Sequence, residues 1–192
     1  MNDNEKHMTG EESLKIITDM ITKTKLNIGQ SIFHLLFWGW LILICSLAEI
    51  ILANFTSFEH PYYAWLLTVP GIFVSMIYGF VRGRKQTVYT YADRLNMWTW
   101  MAFMISAILL FIFLSRQMQN VAPFILLLAG YATFLSGIII KFKPLIYGGI
   151  SFWVFALVAY LIGDLINVIP VVPMAVLTGY LLPGYFLRKE GK

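Results

Sequence analysis

Residues 32–53 read IFHLLFWGWLILICSLAEIILA, an apolar run in which His34 and Glu49 are the only acid and base. At about 1.5 Å per residue, a helix of this length matches the roughly 30 Å hydrocarbon core of a bilayer. Five stretches of the same kind follow, and the six spans fall at about 32–53, 62–81, 96–115, 122–140, 145–163 and 169–187. Backbone N–H and C=O groups find no partner in lipid, so each span must be helical; the alternation of barrel strands is absent. Whole-chain composition agrees. Of 192 residues, 59% are hydrophobic and 12% charged, with a mean hydropathy of +0.73, whereas a soluble domain carries about 25% charged residues. That excludes a soluble enzyme, a disordered chain and a disulfide scaffold, and the single Cys45 can close no intramolecular disulfide. The fold class expected is an all-α integral membrane protein: six transmembrane helices as three hairpins, preceded by a short amphipathic cytoplasmic helix.

Pro61, Pro123, Pro144, Pro170 and Pro173 fall at span starts, where a missing N–H costs nothing. Pro70 and Pro183 lie inside spans, each followed by glycine, and predict local bends. Thirteen of the fourteen lysines and arginines lie before span 1, between spans 2 and 3, between spans 4 and 5, or after span 6; Arg116 alone lies opposite. Positive charge resists translocation, so both termini are expected in the cytoplasm. Some thirty residues precede the first apolar run, among them Asp3, Glu5, Glu11, Glu12 and Asp19. A signal peptide has a short basic start instead, so span 1 is expected to be retained. The net charge of +4 is thereby a topology signal, and no nucleic-acid partner is expected. The domains expected are a cytoplasmic segment at 1–30, a transmembrane domain at 31–188 and a tail at 189–192.

Thr9-Gly10-Glu11-Glu12 has the form of a capping box. Leu14, Ile17, Ile21, Thr24 and Ile28 then recur at helical spacing. This predicts a helix that lies on the membrane surface, leads into span 1, or docks a cytoplasmic partner. Gly71, Ser75, Gly79 and Gly83 place a small residue at every fourth position of span 2, and such rows let helices approach closely in lipid. Span 2 is therefore expected to be central and tightly packed. Trp38, Trp40 and Ser46 reappear sixty residues on as Trp98, Trp100 and Ser106, a faint sign of duplication.

Ionisable groups within a membrane are costly and so are the first functional candidates. Glu49 and Asp164 fall near the outer interface, and with Glu59 they define a candidate outer cation site. Arg82, Arg84, Lys85 and Arg94 make the loop between spans 2 and 3 the most basic one, a candidate contact for anionic lipid headgroups. Enzyme chemistry is argued against residue by residue. No histidine follows His60 to serve Ser136, Asp164 lacks a second intramembrane aspartate, and no span contains a lysine for a retinal Schiff base. Three scattered histidines and one cysteine give no zinc or haem spacing, and no phosphate-binding glycine loop occurs. No catalytic residue, metal or cofactor is expected.

The stretch FLSGIIIKFKP at 134–144, followed by Gly148-Gly149-Ile150-Ser151-Phe152-Trp153, resembles a family of six-span bacterial inner-membrane proteins to which no activity is assigned. Thr9-Gly10-Glu11-Glu12-Ser13-Leu14 resembles it as well. The resemblance implies a bacterial cytoplasmic membrane and brings no functional residues with it. Two functions are then expected. The first is a non-catalytic membrane module: a partner subunit, a sensor or a lipid-binding protein. The alternative is a small-solute or cation transporter with an acidic outer mouth. Expected partners are membrane lipids, a second copy of the chain, or a membrane or cytoplasmic protein.

Overall fold

The computed structural model describes the backbone of residues 10–56, 58–83, 91–115, 120–163 and 168–190, and the side chains of 32–56, 58–81, 91–114, 120–163 and 168–189. It contains six helices long and apolar enough to cross a membrane, with no strand among the described residues. The first crossing, Ile32–Phe55, is the second half of α1 (Gly10–Phe55). A 3₁₀ segment (Pro61–Leu67) runs into α2 (Thr68–Gly83) to make the second. α3 (Tyr91–Ser115), α4 (Ala122–Ile140) and α5 (Lys143–Ile162) make the next three. The last is α6 (171–190), α-helical over Val171–Val176 and Leu182–Glu190 and π-helical over Leu177–Leu181. Crossing limits agree with those expected to within a few residues, the widest difference being a third crossing that starts at Tyr91.

At the N-terminus, of the arrangements expected, the helix leads straight into span 1: α1 runs unbroken from Gly10 to Phe55. No proline lies in that stretch to stop it. The Thr9 capping box and the amphipathic stripe rest on side chains outside the described residues.

Both internal prolines mark a change of helix type. Pro70 has no N–H for the Leu66 carbonyl, its partner in an α-helix. Leu66 lies in the 3₁₀ segment, where a carbonyl takes the N–H three residues on, so nothing is lost. In α6 the Leu182 N–H bonds to the Leu177 carbonyl, five residues back, and Pro183 follows at once with no N–H to give Gly179.

Contacts between helices run in the order α2, α1, α6, α5, α4, α3. α6 is the central element and most of it is buried, while α2 and α3 lie on the rim. The expectation of a central second span is therefore wrong. The cause is visible in its small-residue row: Leu41 of α1 packs against Gly71, but nothing lies within 4 Å of where a side chain at Gly79 would begin. The row meets α1 over part of its length and then faces outward; the side-chain position of Gly83 lies outside the described residues.

The closest approach joins α4 to α5 across a two-residue turn, with Lys141 in the left-handed region (φ 59°). A Cβ at Gly149 would stand 2.6 Å from the Phe134 nitrogen, and one at Gly137 would stand 2.7 Å from the Ile146 nitrogen. With no side chain between them, the two backbones touch, and dispersion contact replaces the hydrophobic drive that lipid cannot supply. The core gathers Leu126 and Ala129 of α4, Leu145, Phe152 and Ala156 of α5, and Val172, Val176 and Tyr180 of α6. Outside it, large side chains such as Phe73 and Phe80 on α2 and Phe111 and Ile112 on α3 are exposed. An apolar exterior of this extent is what a lipid-facing surface requires.

Candidate functional site

Three polar clusters interrupt this apolar interior. The first lies between α1 and α2. His34 and Trp38 are four residues apart and so share one face of α1. Across from them, Ser75 accepts a hydrogen bond from Trp38 Nε1 at 3.3 Å and lies 3.1 Å from His34 Nδ1. An indole N–H only donates, so Ser75 accepts from Trp38, and its link to His34 runs in the direction set by the imidazole tautomer: Ser75 donates to Nδ1 when the ring proton is on Nε2 and accepts when it is on Nδ1. Phe33 stacks on Tyr78 beside this chain, with ring centroids 3.6 Å apart, and Tyr78 presents its edge to His34. A serine donating to a histidine is half of a hydrolytic pair. Here the serine sits within α2 and joins two side chains of α1. The arrangement locks two helices together.

We expect Ser75→Ala to leave the indole and the imidazole unpaired and to destabilise the protein by about 1 kcal/mol, in line with polar links between membrane helices. Thermal unfolding in detergent would show a lowered midpoint; an unchanged midpoint would mean that the Trp38–Ser75–His34 chain contributes nothing.

The second cluster surrounds the π-helical turn. Tyr180 is the middle residue of the sixth crossing, Val171–Lys189, and is buried. Its hydroxyl bonds to Thr133, whose own proton goes to the Ala129 carbonyl at 2.6 Å, so Tyr180 is the donor. Thr178 lies 3.1 Å from Ser151 Oγ, and Ser151 donates to the Gly148 carbonyl at 2.8 Å. Ser136 donates to Asn96 Oδ1 at 2.7 Å, tying α4 to α3. Each of these hydroxyls ends on an acceptor from the protein itself.

The third cluster concerns the expected outer cation site. Glu49 is half-buried and accepts the Trp65 indole N–H at 2.8 Å. Glu59 is exposed in the connection after α1, and Asp164 lies outside the described residues. Among the described residues no group of three His, Cys, Asp or Glu side chains is placed to hold a metal. Of the expected lipid contacts, Arg94 is exposed in the first turn of α3, and Arg82 belongs to the last turn of α2. Arg84, Lys85 and the Arg82 side chain lie outside the described residues.

A fourth feature has no counterpart in the sequence pattern. One face of α1 floors an open groove of 570 Å³ that includes Ile32, Leu36, Phe37, Leu41 and Ile44 and ends at Arg188 of α6. Its position follows from the contacts on either side. Gly71 of α2 meets Leu41 and Phe37, and Tyr185 of α6 meets Trp40. The groove therefore lies along α1, between the residues that meet α2 and those that meet α6, and α6 contributes Arg188 to its lining. Sequence spacing alone hides it, because both packed and open faces of α1 are apolar.

Compared with protein-family models, characterised proteins and solved structures, the chain shows no match.

Proposed function

We propose that this is a multi-pass protein of a bacterial cytoplasmic membrane, its termini in the cytoplasm, its crossings paired as three hairpins, and its role that of a non-catalytic membrane module. Such a module holds lipid or a partner subunit and passes no solute. One observation carries the reading: the hydroxyls of Thr133, Ser151 and Thr178, well inside their crossings, bond to one another or to nearby carbonyls. A substrate or coupling ion needs unsatisfied polar groups at that depth. The basic segments at one end of the bundle support the orientation, since positive charge is retained on the cytoplasmic side.

A transporter is the second reading, and the π-helical turn at Leu177–Leu181 favours it. Irregular turns of this kind recur at functional sites, and broken helices expose carbonyls to ions. Flux of monovalent cations into proteoliposomes decides between the two. We expect no flux above that of protein-free liposomes, and no change in Glu49→Gln. Flux that falls tenfold or more in Glu49→Gln would establish the transporter and remove the module.

A further inference from the structure

We propose that the groove on α1 is a binding site for one acyl chain of an anionic phospholipid, with Arg188 holding the phosphate. The proposal is independent of whether the protein conducts ions.

The dimensions fit one leaflet. From Ile32 to Ile44 the floor covers thirteen residues, a rise of about 18 Å of helix. Half of a bilayer core is about 15 Å thick. The charge fits one headgroup at one end. Among the described residues that line the groove, Arg188 is the one that carries charge. Its height follows from the packing of α6 on α1: Gly184 lies against Leu36 and Leu35, so Arg188, one turn further along an antiparallel partner, comes level with Ile32. That is where the first crossing begins and where headgroup phosphates lie. Below this level the lining is apolar and open to the side, and within a bilayer the groups that reach it are lipid tails.

Anionic lipid is favoured over zwitterionic for two reasons. A guanidinium matches a phosphate with paired N–H donors. A zwitterionic headgroup also brings its own ammonium, which competes for that phosphate and is repelled by Arg188 and by the exposed Lys189 beside it. A cation at the membrane surface favours anionic lipid by about fivefold.

Trp40 lies in the groove and reports on it directly. The protein is reconstituted into vesicles of phosphatidylcholine containing acyl-brominated phosphatidylglycerol or acyl-brominated phosphatidylcholine, and tryptophan quenching is compared with that of Trp40→Phe to isolate the Trp40 contribution. We expect the Trp40 component to be quenched at about one fifth the mole fraction of the brominated anionic lipid. Arg188→Gln should abolish that preference, Arg188→Lys should keep most of it, and Lys189→Gln should weaken it less than Arg188→Gln does. These positions are exposed, so folding is not at stake, and the mean residue ellipticity of each variant confirms it. Equal quenching by both lipids in the native protein would overturn the proposal, as would a preference that survives Arg188→Gln. Quenching that is weak for both lipids and rises on dilution of the protein would overturn it too, by showing a second copy in the groove.

Discussion

Gly149→Ala is expected to lower stability by about 2–3 kcal/mol, at the upper end for overpacking a core, while Gly79→Ala is neutral or slightly stabilising. Both glycines lie within membrane helices, and both changes add one methyl group. The difference is what that methyl meets. At Gly149 it would stand 2.6 Å from the Phe134 nitrogen and 2.7 Å from the Phe134 Cα, backbone atoms that move only if α4 and α5 part. At Gly79 nothing lies within 4 Å, so the change leaves packing alone and removes the conformational freedom that makes glycine a poor helix former. Thermal unfolding in detergent measures both. A midpoint for Gly149→Ala equal to that of the native protein would mean that α4 and α5 are not in backbone contact; a large loss in Gly79→Ala would put a helix against the far end of the α2 row.

That pair also shows where the sequence stopped being legible. The crossings are readable because lipid demands about twenty apolar residues at a time, and the span expected at about 122–140 is α4, Ala122–Ile140. Neighbour relations were not. In water a helix advertises its packed face by contrast with a polar one, whereas in lipid both faces are apolar and only small residues mark a contact. Small residues are permissive, not directive: Gly71, Ser75 and Gly79 share one row, and α1 uses the first two. The Gly148-Gly149 pair enters the sequence reading only through a resemblance, yet Gly149 lies against Phe134 of α4 and Gly148 against Gly179 of α6. Pro183 did predict an irregularity, and the π-helical turn ends two residues before it. The His34–Ser75–Trp38 chain had a readable half, the four-residue spacing on α1, but its partner on α2 required the register between two helices, which no local pattern fixes.

The second large effect concerns Phe152, and it tests the centre of the molecule. Its ring is 1% exposed, stands edge-on to Tyr180 at 4.7 Å, and lies against Gly179, where a Cβ would collide with three of its carbons. Phe→Ala changes in soluble cores cost about 3–5 kcal/mol. Part of that is transfer from water, which lipid removes from the comparison, so we expect Phe152→Ala to cost about 2–3 kcal/mol, chiefly through the cavity and the contacts it forfeits. Gly179→Ala alone is expected to cost a similar amount, by pushing a buried ring that has no empty space to enter. Together the two should not add. With the ring gone, the methyl at 179 occupies part of the cavity, and the double variant should be no less stable than Phe152→Ala alone, a coupling of about 2 kcal/mol or more. Unfolding midpoints of the four proteins in the same detergent measure that coupling. Additive losses would place Gly179 and Phe152 apart, and with them would go the packing of α6 on α5 and the central position of the π-helical turn.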